Sequence, residues 1–298
     1  MQNGIFLIDK AQGFSSATEI SKLKKKLKLN KVGHAGTLDP MATGLLVCLF
    51  NSATRLASFA EKGRKIYSGT IRLGTTTSTD DIDGDVLSTS EVIPDYPAVL
   101  AAKEKFIGEI EQMPPDISAR RIGGVRAYKI ARRGDKPELE ARKVFIQSFE
   151  TEAISASEIK FTVECNSGTY IRSIARDLGE ALGCGACLSS LRREYSSPFS
   201  VQNAKQIEDI SFEDNISWTD LFPGMNRVSF DKEDTRKLVT GGVGGIRTRV
   251  SSVIGEQLGA EKEQQAGKVI YYEAALERPL GILQNIKGNW EIAVNVHV

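Results

Sequence analysis

A mixed α/β (α+β) fold in two parts is what this sequence predicts, and three observations carry that reading. Segments 4–10, 65–74 and 159–165 are short apolar or alternating runs of strand type. Apolar residues recur at helical spacing at Ile20, Leu23 and Leu27, and again at Ile171, Ile174, Ala175, Leu178 and Leu182. After about Ile210 the chain changes character, passing through a linker-like turn at Trp218–Gly224 into short strand patterns. The expected units are 1–212 and a smaller β-rich one at 224–298. With 298 residues, 41% of them hydrophobic, both have enough apolar side chains for a core.

Composition narrows the classes. The longest apolar runs fall far short of the roughly 20 residues a membrane helix needs. The opening MQNGIFLIDK has no basic leader, so a cytoplasmic protein is expected. Cys48, Cys165, Cys184 and Cys187 read as free packed thiols. The Cys184–Cys187 pair has the CxxC spacing, but there is no second pair, and His34 and His297 are the only histidines, so no metal is expected. Net charge is only +1, yet residues 1–65 carry eleven Lys or Arg against four acids, and 120–143 carry nine against three. Two basic blocks on an otherwise acidic chain suit an RNA-binding face, although charge alone fits solvated helix faces equally well.

Taken in order, Gly4–Lys10 is a buried strand and Gly13–Ser16 the turn out of it. Ser16 and Glu19 form a capping box for a helix whose other faces carry Lys22, Lys24, Lys25, Lys26 and Lys28. In the stretch Lys31–Leu56, Gly33, Gly36 and Pro40 frame one acid, Asp39, on a preset loop, and Leu45–Phe50 follows as a buried strand. Asp-Pro alone is an ordinary turn signal. In the strand Lys65–Gly74, alternation sets Tyr67, Gly69, Ile71 and Leu73 on one face. Asp81, Asp83 and Gly84 hold EF-hand-like places, but Ser90 stands where the bidentate glutamate belongs, so the loop is not a calcium site. Pro94–Glu111 reads as a turn and then a helix, with apolar Val99, Ala102, Phe106 and Ile110. Arginines interleaved with Tyr128 between Gln112 and Arg132 suit an RNA-facing segment. Ile159–Cys165 is a strand, Asn166–Gly168 a turn, and the helix from Thr169 stops at Gly183. In the smaller unit, Val269–Tyr272 and a hairpin over 281–294 are the clearest strands; the glycines at 241–245 and the polar stretch Gly255–Gly267 read as a mobile loop.

The run GHAGTLDPMATGLL at 33–46 is similar to the signature of the TruB family of tRNA pseudouridine synthases. Further stretches resemble the family's motifs in order: DKAQGFSS, the K-x-Y of Lys65–Tyr67, the loop Leu73–Gly84, the segment Gln112–Arg132, and CNSGTYIRSIARDLG at 165–179. The resemblance spans roughly residues 4–200 and implies a pseudouridine synthase catalytic fold around a largely antiparallel sheet. By position only, it also implies a PUA-like RNA-binding unit at the C-terminus. Ala11, Ile117 and Arg121 depart from the family's proline, tyrosine and lysine.

The resemblance implies uridine isomerised to pseudouridine in the T loop of tRNA, at position 55 in tRNA numbering, by a monomer without a guide RNA or membrane. Asp39 is then the catalytic carboxylate, and Tyr170 and Arg172 are active-site residues. Tyr67 is to stack on the target uracil and take part in proton transfer; Asp81 is to lie near the site. His34 is to help displace the T-loop nucleotide, with Arg121 and Arg126 among the substrate contacts. The chemistry fits such a set. Breaking the N1–C1′ bond and rejoining uracil through C5 involves no net redox change and no hydrolysis, so no cofactor is expected. One ionised carboxylate is needed, to attack the nucleoside or to remove a sugar proton, and an arginine in hydrogen-bonding reach favours that charge state. Turning a uridine out of its stack costs about a few kcal/mol, which aromatic stacking offsets by about 1–3 kcal/mol per base. A non-catalytic RNA-binding or tRNA-folding module is the alternative, and a glycoside hydrolase would ordinarily need two carboxylates.

Overall fold

The apolar run Gly4–Lys10 (β1) pairs antiparallel along its whole length with Thr43–Phe50, the third strand (β3). Both strands are apolar on both faces because each face meets a different core. Phe6, Ile8, Leu46, Cys48 and Phe50 point into the main one, while Ile5, Leu7, Leu45, Val47 and Leu49 point into a second. Continuous hydrophobic runs are the pattern of a strand covered on both sides. The chain is described from a computed structural model, except for residues 1, 119, 128, 129, 131, 132, 134, 136, 242, 243, 245, 276, 277, 297 and 298. Tyr128 therefore lies outside the described residues.

Helix α1 (Ser16–Lys26) and the short strand β2 (Val32–Ala35) connect β1 to β3, and β2 also pairs antiparallel with β3. The main sheet continues through β4 (Arg64–Leu73), β7 (Gly108–Gln112), β10 (Arg142–Ala153), β11 (Glu158–Asn166) and β12 (Ala186–Ser196), with the short β13 (Phe199–Ser200) on β12. Its order is β1-β3-β12-β4-β11-β10-β7. All its pairings are antiparallel but one, a brief parallel contact that sets Arg192 and Arg193 of β12 beside Thr43 and Gly44 of β3. Two small hairpins flank it, β5 (Thr75–Thr77) with β6 (Val86–Thr89) and β8 (Arg121–Ile122) with β9 (Val125–Arg126). Helices α1, α2 (Ala57–Ala60), α3 (Tyr96–Lys103) and α4 (Ile171–Ala181) pack in this part.

The expected helix over 94–111 ends early. It runs only from Tyr96 to Lys103 with a 3-10 turn to Phe106, and Gly108, at φ +96°, turns the chain so that Ile110 lies on β7. Ser16 is not the cap of α1. Ser15 Oγ accepts the Thr18 N–H, and Glu19 pairs instead with Lys22 at 2.9 Å. Trp218 is no linker residue either; it starts a 3-10 turn and is buried in the second core.

Beyond residue 226 a separate sheet forms, in the order β14 (Arg227–Phe230), β15 (Lys268–Glu273), β16 (Arg278–Ile286) and β17 (Asn289–Asn295). Helix α5 (Lys232–Gly241) follows β14; of the stretch expected to be a mobile loop, residues 242, 243 and 245 lie outside the described residues, while the polar part is helical, in the end of α6 (Arg247–Leu258) and in α7 (Ala260–Gln265). Val250, Val253 and Ile254 of α6 pack with Phe230, Tyr271 and Trp290, so three apolar side chains suffice to fix a helix that reads as polar. Ile270 and Ile282 of this sheet join Ile5, Leu7, Val47 and Leu49 in the second core, together with Leu56, Trp218, Leu221 and Val296. No described helix is long and apolar enough to cross a membrane.

Candidate active site

Asp39 sits between β2 and β3 on a loop braced from four sides. Ser16 Oγ donates to the Leu38 carbonyl at 3.0 Å and accepts the Leu38 N–H at 2.8 Å. The Pro40 carbonyl accepts from Lys10 Nζ and from the Gly13 N–H. Arg193, fully buried, donates from Nε to the Leu45 carbonyl at 2.7 Å and from Nη2 to that of Gly36 at 3.1 Å. The close passage of β12 requires glycine at 44, whose φ is +96°; a Cβ there would lie 2.4 Å from the Arg193 carbonyl. The stretch DKAQGFSS thus serves as scaffold, through Lys10, Gly13 and Ser16.

Arg172, in the first turn of α4, meets Asp39 through two parallel bonds, Nε to Oδ2 at 2.9 Å and Nη2 to Oδ1 at 3.1 Å. Its remaining donors fasten two loops: Nη1 bonds the Thr79 carbonyl at 2.8 Å and Nη2 the Ile117 carbonyl at 2.9 Å. The Arg172 side chain is 4% exposed and that of Asp39 33%, so the carboxylate is oriented from behind and open in front. Bidentate charge-assisted pairs of this kind fix geometry as well as adding energy. The start of α4 is itself clamped, because the buried Gln112 side chain bonds both the N–H and the carbonyl of Tyr170. Asp81 also approaches the guanidinium, its Oδ2 3.6 Å from the same Nε. Burial raises its pKa, and the Thr79 hydroxyl, Arg172 and the Asp83 N–H pull it back down.

The open side of Asp39 faces a cleft lined by Lys65, Tyr67, Tyr170, Leu191 and Arg193. Burial raises the Tyr67 pKa above its ordinary value, with Arg193 opposing. On the other side of the Asp39–Arg172 pair a second depression is lined by Ser15, His34, Pro40, Asp81 and Ile117. The sequence-expected residues Asp39, Tyr67, Tyr170 and Arg172 thus meet at one cleft, and His34 and Asp81 lie across the pair from it. Arg121 and Arg126 face each other in the β8–β9 hairpin, and their side chains lie outside the described residues.

Comparison with known proteins finds the family that these stretches resemble. Residues 24–171 match the TruB family pseudouridylate synthase (N terminal domain), and residues 172–219 the tRNA pseudouridylate synthase B C-terminal domain. The tRNA pseudouridine synthase B of Arthrobacter sp. (strain FB24) is 43% identical over 220 residues, 72% of each chain. This chain belongs to the TruB family. It is a pseudouridine synthase. The same-named protein of Opitutus terrae is 42% identical over 209 residues, 70% of this chain and 87% of the other. A crystal structure of a Cbf5-Nop10-Gar1 complex overlays with a TM-score of 0.67 at 22% identity, covering 99% of this chain and 84% of that one. At that identity it shows a shared fold, one that takes in the smaller sheet.

Sequence reading missed Lys65, Gln112 and Arg193 as parts of this TruB site. Gln112 and Lys65 were only the first letters of motif stretches, and Arg193 belongs to Leu191-Arg-Arg-Glu194, where two adjacent arginines read as surface charge. The available signal was strand alternation: it turns Arg192 outward to Asp9, at 2.8 Å, and Arg193 inward.

Proposed function

We propose that the chain isomerises uridine to pseudouridine in the T loop of tRNA, at position 55 in tRNA numbering. It acts on a uridine turned out of its stack and without a guide RNA. The observation that carries this reading is the two-bond Asp39–Arg172 pair at the base of a cleft walled by Tyr67 and Tyr170. Asp39 is the catalytic carboxylate. Arg172 holds both its oxygens, so the carboxylate meets the sugar in one orientation, which is the positioning an intramolecular rearrangement needs. Tyr67 stacks on the target uracil and takes part in proton transfer, and Tyr170 shapes the pocket. His34 takes the place of the displaced nucleotide, from the depression across the Asp39–Arg172 pair. Asp81 steadies the guanidinium, and Arg121 and Arg126 contact the RNA.

On this reading residues 1–212 are the catalytic unit and 224–298 a PUA-like RNA-binding unit, and the protein works in the cytoplasm as a monomer. An unmodified tRNA transcript incubated with the protein alone tests the assignment, with pseudouridine mapped by carbodiimide adduct and primer extension. A single new stop at the T-loop uridine is expected. A stop elsewhere, or one that appears only with added RNA, contradicts the substrate reading.

A further inference from the structure

We propose that Lys65 is a cleft cation that stabilises uracil as it leaves C1′ as an anion. Lys65 lies two residues before Tyr67 on β4, on the same face of the strand, and lines the cleft with Asp39, Tyr67, Arg172 and Arg193. The residue is 3% exposed. Among the described residues its single hydrogen-bond partner is the neutral Ser196 hydroxyl, at 2.7 Å. Its partners across the sheet are Cys165 on β11 and Ser196 on β12. Arg193 adds a second positive charge from β12, and the acid that acts against it, Glu61 at the end of α2, is exposed to solvent. Burial lowers the Lys65 pKa to about 8, Arg193 acts in the same direction, and Glu61 opposes. An ammonium buried against one hydroxyl is a standing cost to the folded chain. Such groups gather where a charge appears only during a reaction.

The inference rests on the uridine isomerisation proposed above, which supplies that charge by either route. When the N1–C1′ bond breaks, its electron pair goes to N1. Asp39 either bonds C1′ in its place or takes the C2′ proton, and both leave uracil as an anion. The anion is consumed when C5 bonds C1′, as the Asp39–C1′ bond breaks or Asp39 returns the proton to C2′; the C5 proton then passes to water and N1 takes one up. Arg172 is engaged by Asp39 and the carbonyls of Thr79 and Ile117. Arg193 is tied to those of Leu45 and Gly36. Among the described cations of the cleft, Lys65 is the one that makes no hydrogen bond to a carboxylate or carbonyl.

The test is single-turnover tritium release from C5-labelled tRNA between pH 6.5 and 9.5, with tRNA affinity and thermal unfolding measured on the same proteins. Release by the wild type checks the underlying isomerisation, and the Lys65 variants check the inference. Lys65→Met should melt at a higher temperature than the wild type, bind tRNA within about threefold, and react about 10²–10³-fold more slowly, the scale of losing one stabilising donor. The wild-type rate should fall as pH rises through about 8. Cys165, pushed up to about 12, and Tyr67, raised above its ordinary 10, titrate higher. Lys10, behind the Asp39 loop, is also lowered to about 8, so Lys65→Arg separates the two lysines by keeping its rate at alkaline pH. Overturning results are a Lys65→Met rate within threefold of wild type, a lower melting temperature, a loss confined to tRNA affinity, or a Lys65→Arg profile that falls with the wild type.

Discussion

At the scale of single residues, Arg172 joins the most. One guanidinium holds both oxygens of Asp39 and one carbonyl from each of two loops, a planar fork that an ammonium cannot copy. Arg172→Lys is expected to lower single-turnover rate at least 100-fold, since small misplacements of a reacting group cost that much. It should also lower the urea midpoint, because an ammonium leaves buried hydrogen bonds of the fork unmade. An unchanged rate would mean that the pair does not position Asp39. Asp39 and Arg172 were legible in the sequence because each lies inside a motif that resembles the family's. The burial of Lys65 and Arg193 was not: a lysine opening a strand and an arginine in an Arg-Arg pair read as solvated, and only the strand register turns them inward.

Among elements, the Asp39 loop owes its shape to neighbours more than to its own glycines and proline. Two adjacent serines separate the effects. Ser15 caps α1, while Ser16 bonds the N–H and carbonyl of Leu38. Ser15→Ala should cost about 1 kcal/mol as a lost cap and leave turnover alone. Ser16→Ala leaves two buried main-chain groups without their partner, should cost about 1–3 kcal/mol, and should slow turnover more than it weakens tRNA binding. Equal kinetic effects from the two would contradict this division. The strands β1, β3, β4 and β11 were readable from apolar runs and alternation. Helix α6 was not, because its flanking glycines and polar residues resemble a loop until Val250, Val253 and Ile254 find Trp290 and Tyr271.

For the molecule as a whole, the two sheets share a core across Ile5, Leu7, Val47 and Leu49 on one side and Ile270 and Ile282 on the other. That core gathers residues more than 220 positions apart, which no local pattern reveals. A chain ending after Phe222 would leave those side chains open to water, so its thermal midpoint should fall; an unchanged midpoint would show that the smaller sheet adds no stability. Stability should also depend on pH in the alkaline range. Lys10 and Lys65 drop from an ordinary 10.5 to about 8 on folding, so the folded chain carries a penalty below pH 8 that is relieved as pH rises towards 10.5. Cys48 and Cys165 are pushed from 9.0 to about 12, so unfolded thiols ionise first and stability is lost above pH 9. Urea midpoints should therefore climb from pH 8 to 9, level off while the two effects oppose each other, and fall above about 10.5. A monotonic fall from pH 7 would contradict the burial of both lysines.

The most direct measurement of the central claim is tritium release from C5-labelled, unmodified tRNA by the purified protein, beside an Asp39→Asn control. The account predicts release by the wild type, none above background by the variant, and tRNA affinity retained by both. Equal release from the two proteins would remove Asp39 from the chemistry, and tight binding without release by either would contradict the assigned isomerisation.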